Sequence, residues 1–191
     1  MTKGLTVFLV RHGESEWNVE GRLQGQTAHI PLTALGRQQA EQTAARLASS
    51  GAQIVVSSDL LRAVETAQII ATSLLIPLRL KSDLREQALG VFENRLAVDV
   101  RRETEPTNWT DPHWRPVSGE SLQDVYVRLE RVFQELQHEQ PAGRVIVVTH
   151  GDTARIALAL LRGEGLAGVA GAILKNGEFI ELGLENTNSS R

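Results

Sequence analysis

The chain contains no cysteine, which excludes disulfides, thiolate metal sites and a cysteine nucleophile together. It also lacks a long apolar run. Its hydrophobic segments stop well short of the roughly 20 residues a membrane span needs, and the apolar part of the opening MTKGLTVFLV is too short for a secretory signal. A cytoplasmic protein is expected. There is no excess of positive charge: 20 Lys and Arg against 23 Asp and Glu leave a net charge of −3. Neither nucleic acid nor an anionic membrane is an expected partner. Missing as well are HExxH, clustered carboxylates and a Walker loop, so neither a metal nor a cofactor is expected. No internal repeat and no low-complexity linker divides the chain.

What is present suits one globular domain spanning 1–191, with 41% hydrophobic and 23% charged residues. Three segments share one grammar: a short apolar run, a polar tip, then a helical pattern. The first runs from Leu5 to Val10 and is tipped by Arg11 and His12. The second runs from Gln53 to Val56, tipped by Ser57, Ser58 and Asp59, with a helix to about Ser73. The third is Arg144 to Thr149, tipped by His150 and Gly151, with a helix from about Thr153 to Leu161. Continuous β-branched runs alternating with helices predict a mostly parallel sheet covered on both faces, a three-layer α/β/α architecture.

Thr33 can cap a helix that ends at Gly51. Ser121 and Asp124 form a capping box ahead of a helix whose apolar face is Leu122, Val125, Leu129, Val132, Phe133 and Leu136. The Asn176-Gly177 pair signals a hairpin that adds antiparallel strands, and NTNSSR reads as a frayed tail. Residues 86–118 fit neither period yet hold Trp109 and Trp114, two of the three tryptophans. This stretch reads as a small lid insertion rather than as disorder.

If the three strands are neighbours, two histidines and two arginines (Arg11, His12, Arg62, His150) converge at one sheet edge, where open α/β sheets bind ligands. Arginine forks match phosphate oxygens, and the starts of the following helices add free N–H groups. Such a site suits a doubly charged tetrahedral anion. A histidine among arginines is pressed towards its neutral form, and a neutral ring nitrogen facing phosphorus is a nucleophile.

In their order along the chain, RHGESEWN (11–18), PLT (31–33), SSDLLRAVETA (57–67), DLRE (83–86), SGES (118–121) and THGD (149–152) resemble the histidine phosphatases, the phosphoglycerate mutase-like superfamily. The resemblance runs from about Leu5 to Leu161. It implies that His12 attacks the phosphoryl group and carries it as phosphohistidine. It also implies that Arg11, Arg62 and His150 hold the equatorial oxygens, and that Glu86 protonates the leaving oxygen and later activates water. Asn18, Gln24 and Gly25 fall where the family lines the phosphate or substrate mouth, and Gly151 follows the second histidine. Asp83 and Glu93 are the alternative proton donors. Two departures lie at the mouth: QTAHI between Gly25 and Pro31, with His29 near a position often held by aspartate, and Asn94 where glycine is common.

The family holds phosphatases and mutases. Mutases carry a tyrosine shortly after the catalytic glutamate and a lysine further on, where this chain has Leu89 and Ala97 or a close neighbour. Arg101 and Arg102 come too early to match the mutase arginine pair. The expectation is therefore a metal-independent phosphomonoester hydrolase acting on a small phosphorylated metabolite, as a monomer or homodimer. A mutase is the second reading, and a non-catalytic phosphate-binding module the third.

Overall fold

The computed structural model describes residues 4–170 and 174–184. In chain order the elements are β1 (Thr6–Arg11), α1 (Glu16–Glu20), α2 (Ala34–Leu47), β2 (Ile54–Ser57), α3 (Leu61–Leu74), β3 (Leu78–Leu80), α4 (Ala97–Glu103), α5 (Leu122–Glu139), β4 (Arg144–Thr149), α6 (Gly151–Leu161) and β5 (Phe179–Gly183). The sheet runs β3-β2-β4-β1-β5. All pairings are parallel except β1 with β5.

Alternation along the strands makes the layers. Val7 and Leu9 of β1, with Val145 and Val147 of β4, pack under α5 and α6. Their neighbours Phe8, Val10, Ile146 and Val148 face α2 and α3. Because successive side chains point to opposite faces, a strand buried on both sides must be apolar throughout. That is why the central runs read as unbroken hydrophobic stretches.

The expected helices form with shifted ends. Thr33 Oγ1 accepts from the Gly36 N–H and caps α2, but the helix stops at Leu47, and Gly51 lies beyond it in the left-handed region (φ 67°). The Ser121–Asp124 box caps α5, and all six of its expected apolar positions are buried. The third strand's helix begins at Gly151, two residues earlier than expected, because His150 already takes the N-cap position.

Residues 86–118 are not wholly irregular. They include α4, whose one buried residue is Val100, too few to show as a periodic stripe. The turn at Asn176-Gly177 is present; ahead of it Leu174 and Lys175 are not strand, and the rest of the expected first arm lies outside the described residues. β5 instead pairs with β1, and Gly177 N–H donates to the carbonyls of Arg11 and His12. The NTNSSR tail lies outside the described residues. No helix among the described residues is long and apolar enough to cross a membrane.

Candidate active site

The strand register brings the three polar tips together. Arg11 pairs opposite Thr149, and Ser57 opposite Val148. The ladder continues one step further: His12 N–H donates to the Thr149 carbonyl (2.9 Å) and Ser58 N–H to that of Val148 (3.0 Å). His12, Ser58 and His150 therefore meet at the carboxyl edge of the central strands, the place where such sheets expose ligand-binding groups.

His12 Nδ1 lies 2.6 Å from the Gly13 carbonyl. A carbonyl only accepts, so Nδ1 carries the ring proton and Nε2 keeps its lone pair. Gly13 is itself pinned, its N–H donating to Thr66 Oγ1, which in turn donates to the Arg62 carbonyl. The second ring stands 5.1 Å away, centroid to centroid. Its Nε2 is 2.8 Å from Ser58 Oγ, which already accepts from Leu60 N–H. With one lone pair so engaged, the serine hydroxyl can donate its proton to Nε2, and in that tautomer His150 Nδ1 is a donor. That atom is buried without a partner among the described residues.

Both rings are held well below the usual histidine range. Burial is the main cause for each, with the Arg62 charge next; the Gly13 carbonyl opposes the shift in His12. Arg62 is nearly fully buried, its guanidinium donating to the Thr27 (3.0 Å) and Gly25 (2.8 Å) carbonyls. Burial brings its pKa down to about 10, against the pull of Glu86 and Glu93. Arg11 donates to the Leu174 carbonyl. The Nε groups of both arginines are buried and unpartnered among the described residues. Buried donors without acceptors are rare in proteins unless a ligand supplies the acceptor.

Glu86 lies at the start of α6. Its Oε1 accepts from Thr153 N–H (3.0 Å), Thr153 Oγ1 (3.0 Å) and Gln87 N–H (3.1 Å), whereas Oε2 has only Asp152 N–H at 3.2 Å among the described residues. Oε2 is the freer oxygen and the better placed to hold and pass a proton. Asp152 beside it is pushed up by desolvation and by the Glu86 charge, against the pull of Arg155. The two alternative donors are bonded as well, and neither lines the cavity that Glu86 shares with Arg11 and Gly151. Glu93 accepts from Gln26 N–H, Thr27 Oγ1 and Leu89 N–H, and Asp83 faces Arg131 on the surface.

The residues expected at the mouth have more local partners. Asn18 Oδ1 accepts from Ser15 and from Asn176 Nδ2, and the Gln24 amide lies 2.9 Å from Ser15 Oγ. Gly25 supplies Arg62 with its carbonyl, and a Cβ there would run into Glu93. Gly151 opens α6 next to the Arg11 guanidinium. His29 is exposed beside Trp17 (6.4 Å). Asn94 has φ 69°, a conformation that asparagine tolerates better than other non-glycine residues, so it takes over the role of a glycine.

Several supporting residues went unread in the sequence. Arg128, on α5, donates to the Asp83 and Glu86 carbonyls and pairs with Glu120, whose Oε2 accepts from Ala88 N–H. Together they splint the loop that carries Glu86. The signal was available: Arg128 sits among the apolar-face positions of an amphipathic helix, where a charge needs a reason. Asn176, which bonds the His12 carbonyl, was read only as a turn residue.

Two histidines, two arginines and a carboxyl are set around one sheet edge, and the chain belongs to the histidine phosphatase superfamily (branch 1), which it matches over residues 7–190. It is 39% identical over 152 residues to a probable phosphoglycerate mutase GpmB of Enterobacter sp. (strain 638), covering 77% of this chain and 70% of that one. Its structure is similar to a mycobacterial glucosyl-3-phosphoglycerate phosphatase solved with VO3 (TM-score 0.83, 28% identity, 94% of this chain and 90% of that). It is equally similar to Bacillus stearothermophilus YhfR (TM-score 0.84, 31% identity, 93% and 90%).

Proposed function

We propose that the protein is a metal-independent phosphomonoesterase that works through phosphohistidine on His12. The observation that carries this reading is the proton on Nδ1, which leaves Nε2 bare among Arg11, Arg62 and His150. Nε2 attacks phosphorus as the ester P–O bond breaks. Arg11, Arg62 and the His150 Nδ1 proton take the equatorial oxygens, whose charge they stabilise in a site largely shut off from water. Glu86 gives its Oε2 proton to the departing alkoxide. A water then attacks the phosphohistidine, loses a proton to Glu86, and phosphate leaves with His12 restored.

The name borne by the Enterobacter relative favours a second reading, phosphoglycerate mutase. A mutase must hold a carboxylated substrate while its phosphoryl group rests on the enzyme, yet Leu89 and Ala97 line the cavity beside Glu86. Hydrolysis is therefore preferred.

The test is direct. Labelled substrate mixed with enzyme and quenched without acid should leave label on His12, and His12→Ala should lose roughly 10⁴-fold or more in kcat. Label on another residue, or near-normal turnover in the variant, rejects the mechanism. Rapid interconversion of phosphoglycerate isomers with little phosphate release would establish the mutase reading instead.

A further inference from the structure

A cavity of about 550 Å³ opens from the site under the lid, lined at its inner end by Arg11, Glu86 and Gly151. The alcohol side of any ester must lie there, because Glu86 delivers the proton to the ester oxygen. Beyond that end apolar walls predominate, with Gln87, Asn108, Thr110 and Asp111 as uncharged or outer polar groups among them. Leu89 and Val100 are buried, Leu122 nearly so, and Ala97 adds a methyl group. Trp109 and Trp114 form the other side, 5.1 Å apart and packed against Phe92. The Trp109 indole N–H is taken by Thr104 Oγ1, so that ring is held in place.

We infer that this chamber selects esters whose alcohol carries a bulky, largely apolar ring, rather than short hydrophilic acids such as glycerate. The inference rests on the phosphatase reading above. Its size is that of a pocket for a drug-sized molecule, so glycerate would leave most of it to water. A carboxylate against Leu89 and Ala97 would lose its hydration with no partner in return. Of the lining cations, Arg11 faces the phosphate site and Arg155 is paired with Asp152 at 2.6 Å. Arg101 has no ion-pair partner among the described residues, but it is exposed. It meets the outer end of a long alcohol, not the body of a short one. Ring stacking on a fixed indole and removal of apolar surface from water act together here.

The experiment compares ethyl, phenethyl and naphthylethyl phosphate with phosphoglycerate. The three alcohols are of similar acidity, so the chemical step makes the same demand and differences report binding. The phenethyl ester should exceed the ethyl ester by roughly 10²-fold in kcat/KM, mostly through KM, with phosphoglycerate near the ethyl ester. Trp109→Ala and Ala97→Lys should each shrink the phenethyl-to-ethyl ratio to a few-fold, and Ala97→Lys should also move preference towards phosphoglycerate. Because a ratio is read, a partly damaged variant still reports. Ethyl phosphate or phosphoglycerate turned over as well as the phenethyl ester overturns the inference and leaves the phosphatase reading standing. A ring preference that survives in both variants overturns the assignment to this chamber. No turnover of these esters or of an activated aryl phosphate removes the phosphatase reading, and this inference with it.

Discussion

His12 and His150 are neutral by construction, since burial and Arg62 both disfavour their charged forms. That has a stability consequence with a definite sign. In the unfolded chain each ring titrates near its ordinary 6.5, whereas in the folded chain it titrates well below. Between those values the unfolded state binds protons that the native state refuses. Stability should therefore be fully present above pH 6.5 and fall as the pH drops through and below it. The slope is up to about 1.4 kcal/mol per pH unit for each ring. Urea titrations from pH 7.5 to 5 measure this, and His150→Asn should show a shallower slope than the parent. Glu86 makes a separate residue-scale prediction. An alkyl alcohol leaves poorly without a proton while an activated aryl ester hardly needs one, so Glu86→Gln should slow alkyl esters roughly 10²- to 10⁴-fold and aryl esters far less. Equal slowing of both would send the proton donor elsewhere, to Asp83, Glu93 or Asp152, the last of which bonds Glu86 through its N–H.

At the scale of elements, the site depends on close approaches and on one buried splint. The loop after β1 lies so near the start of α2 that a Cβ on Gly13 would sit 2.2 Å from the Gly36 carbonyl oxygen. Backbone cannot yield as a flexible side chain can. Gly13→Ala should cost about 3 kcal/mol, read as a fall in Tm of roughly 6–12 °C. The splint is Arg128, whose side chain is only 7% exposed while Glu120 keeps 24%. Arg128→Met leaves Glu120 without its cation and takes one donor from each of the Asp83 and Glu86 carbonyls, the latter keeping only Gln26 Nε2 among the described residues. We expect a loss of about 3 kcal/mol, the low end for a broken buried pair because Glu120 keeps contact with water. We also expect the variant to show the same excess sensitivity to leaving-group acidity as Glu86→Gln, a kinetic mark that plain destabilisation would not leave. Normal leaving-group dependence in a folded Arg128→Met protein would reduce the residue to a purely structural role.

For the whole molecule, the groups that the proposed mechanism sets around the phosphoryl group come from three elements that are far apart in sequence: β1, α3 and the start of α6. No group of three or more His, Asp or Glu suited to a metal occurs among the described residues. Prolonged chelation should leave turnover intact, while vanadate, which takes up the geometry of phosphoryl transfer, should inhibit. Activity lost on chelation and restored by a divalent cation would be incompatible with a mechanism run by arginines and histidines alone.

The sequence by itself determined the layers, the central strands and the identity of the groups at their tips. Those features are local: Val145 to Val148 must be buried on both faces whatever surrounds them, and Ser121 with Asp124 caps a helix from three residues apart. Tertiary structure alone decided how those groups act. Which nitrogen of His12 is bare depends on the Gly13 carbonyl, which is held through Thr66 on another helix. That Glu86, and not Glu93, faces the cavity with Arg11 and Gly151 follows from where folding places each loop, Glu93 being packed instead against Gly25 and Gln26. The short helix α4 and the chamber beside it were invisible for the same reason. Their apolar residues are packed by partners from the Leu23 loop, the tryptophan segment and α5, so no periodicity within the segment records them.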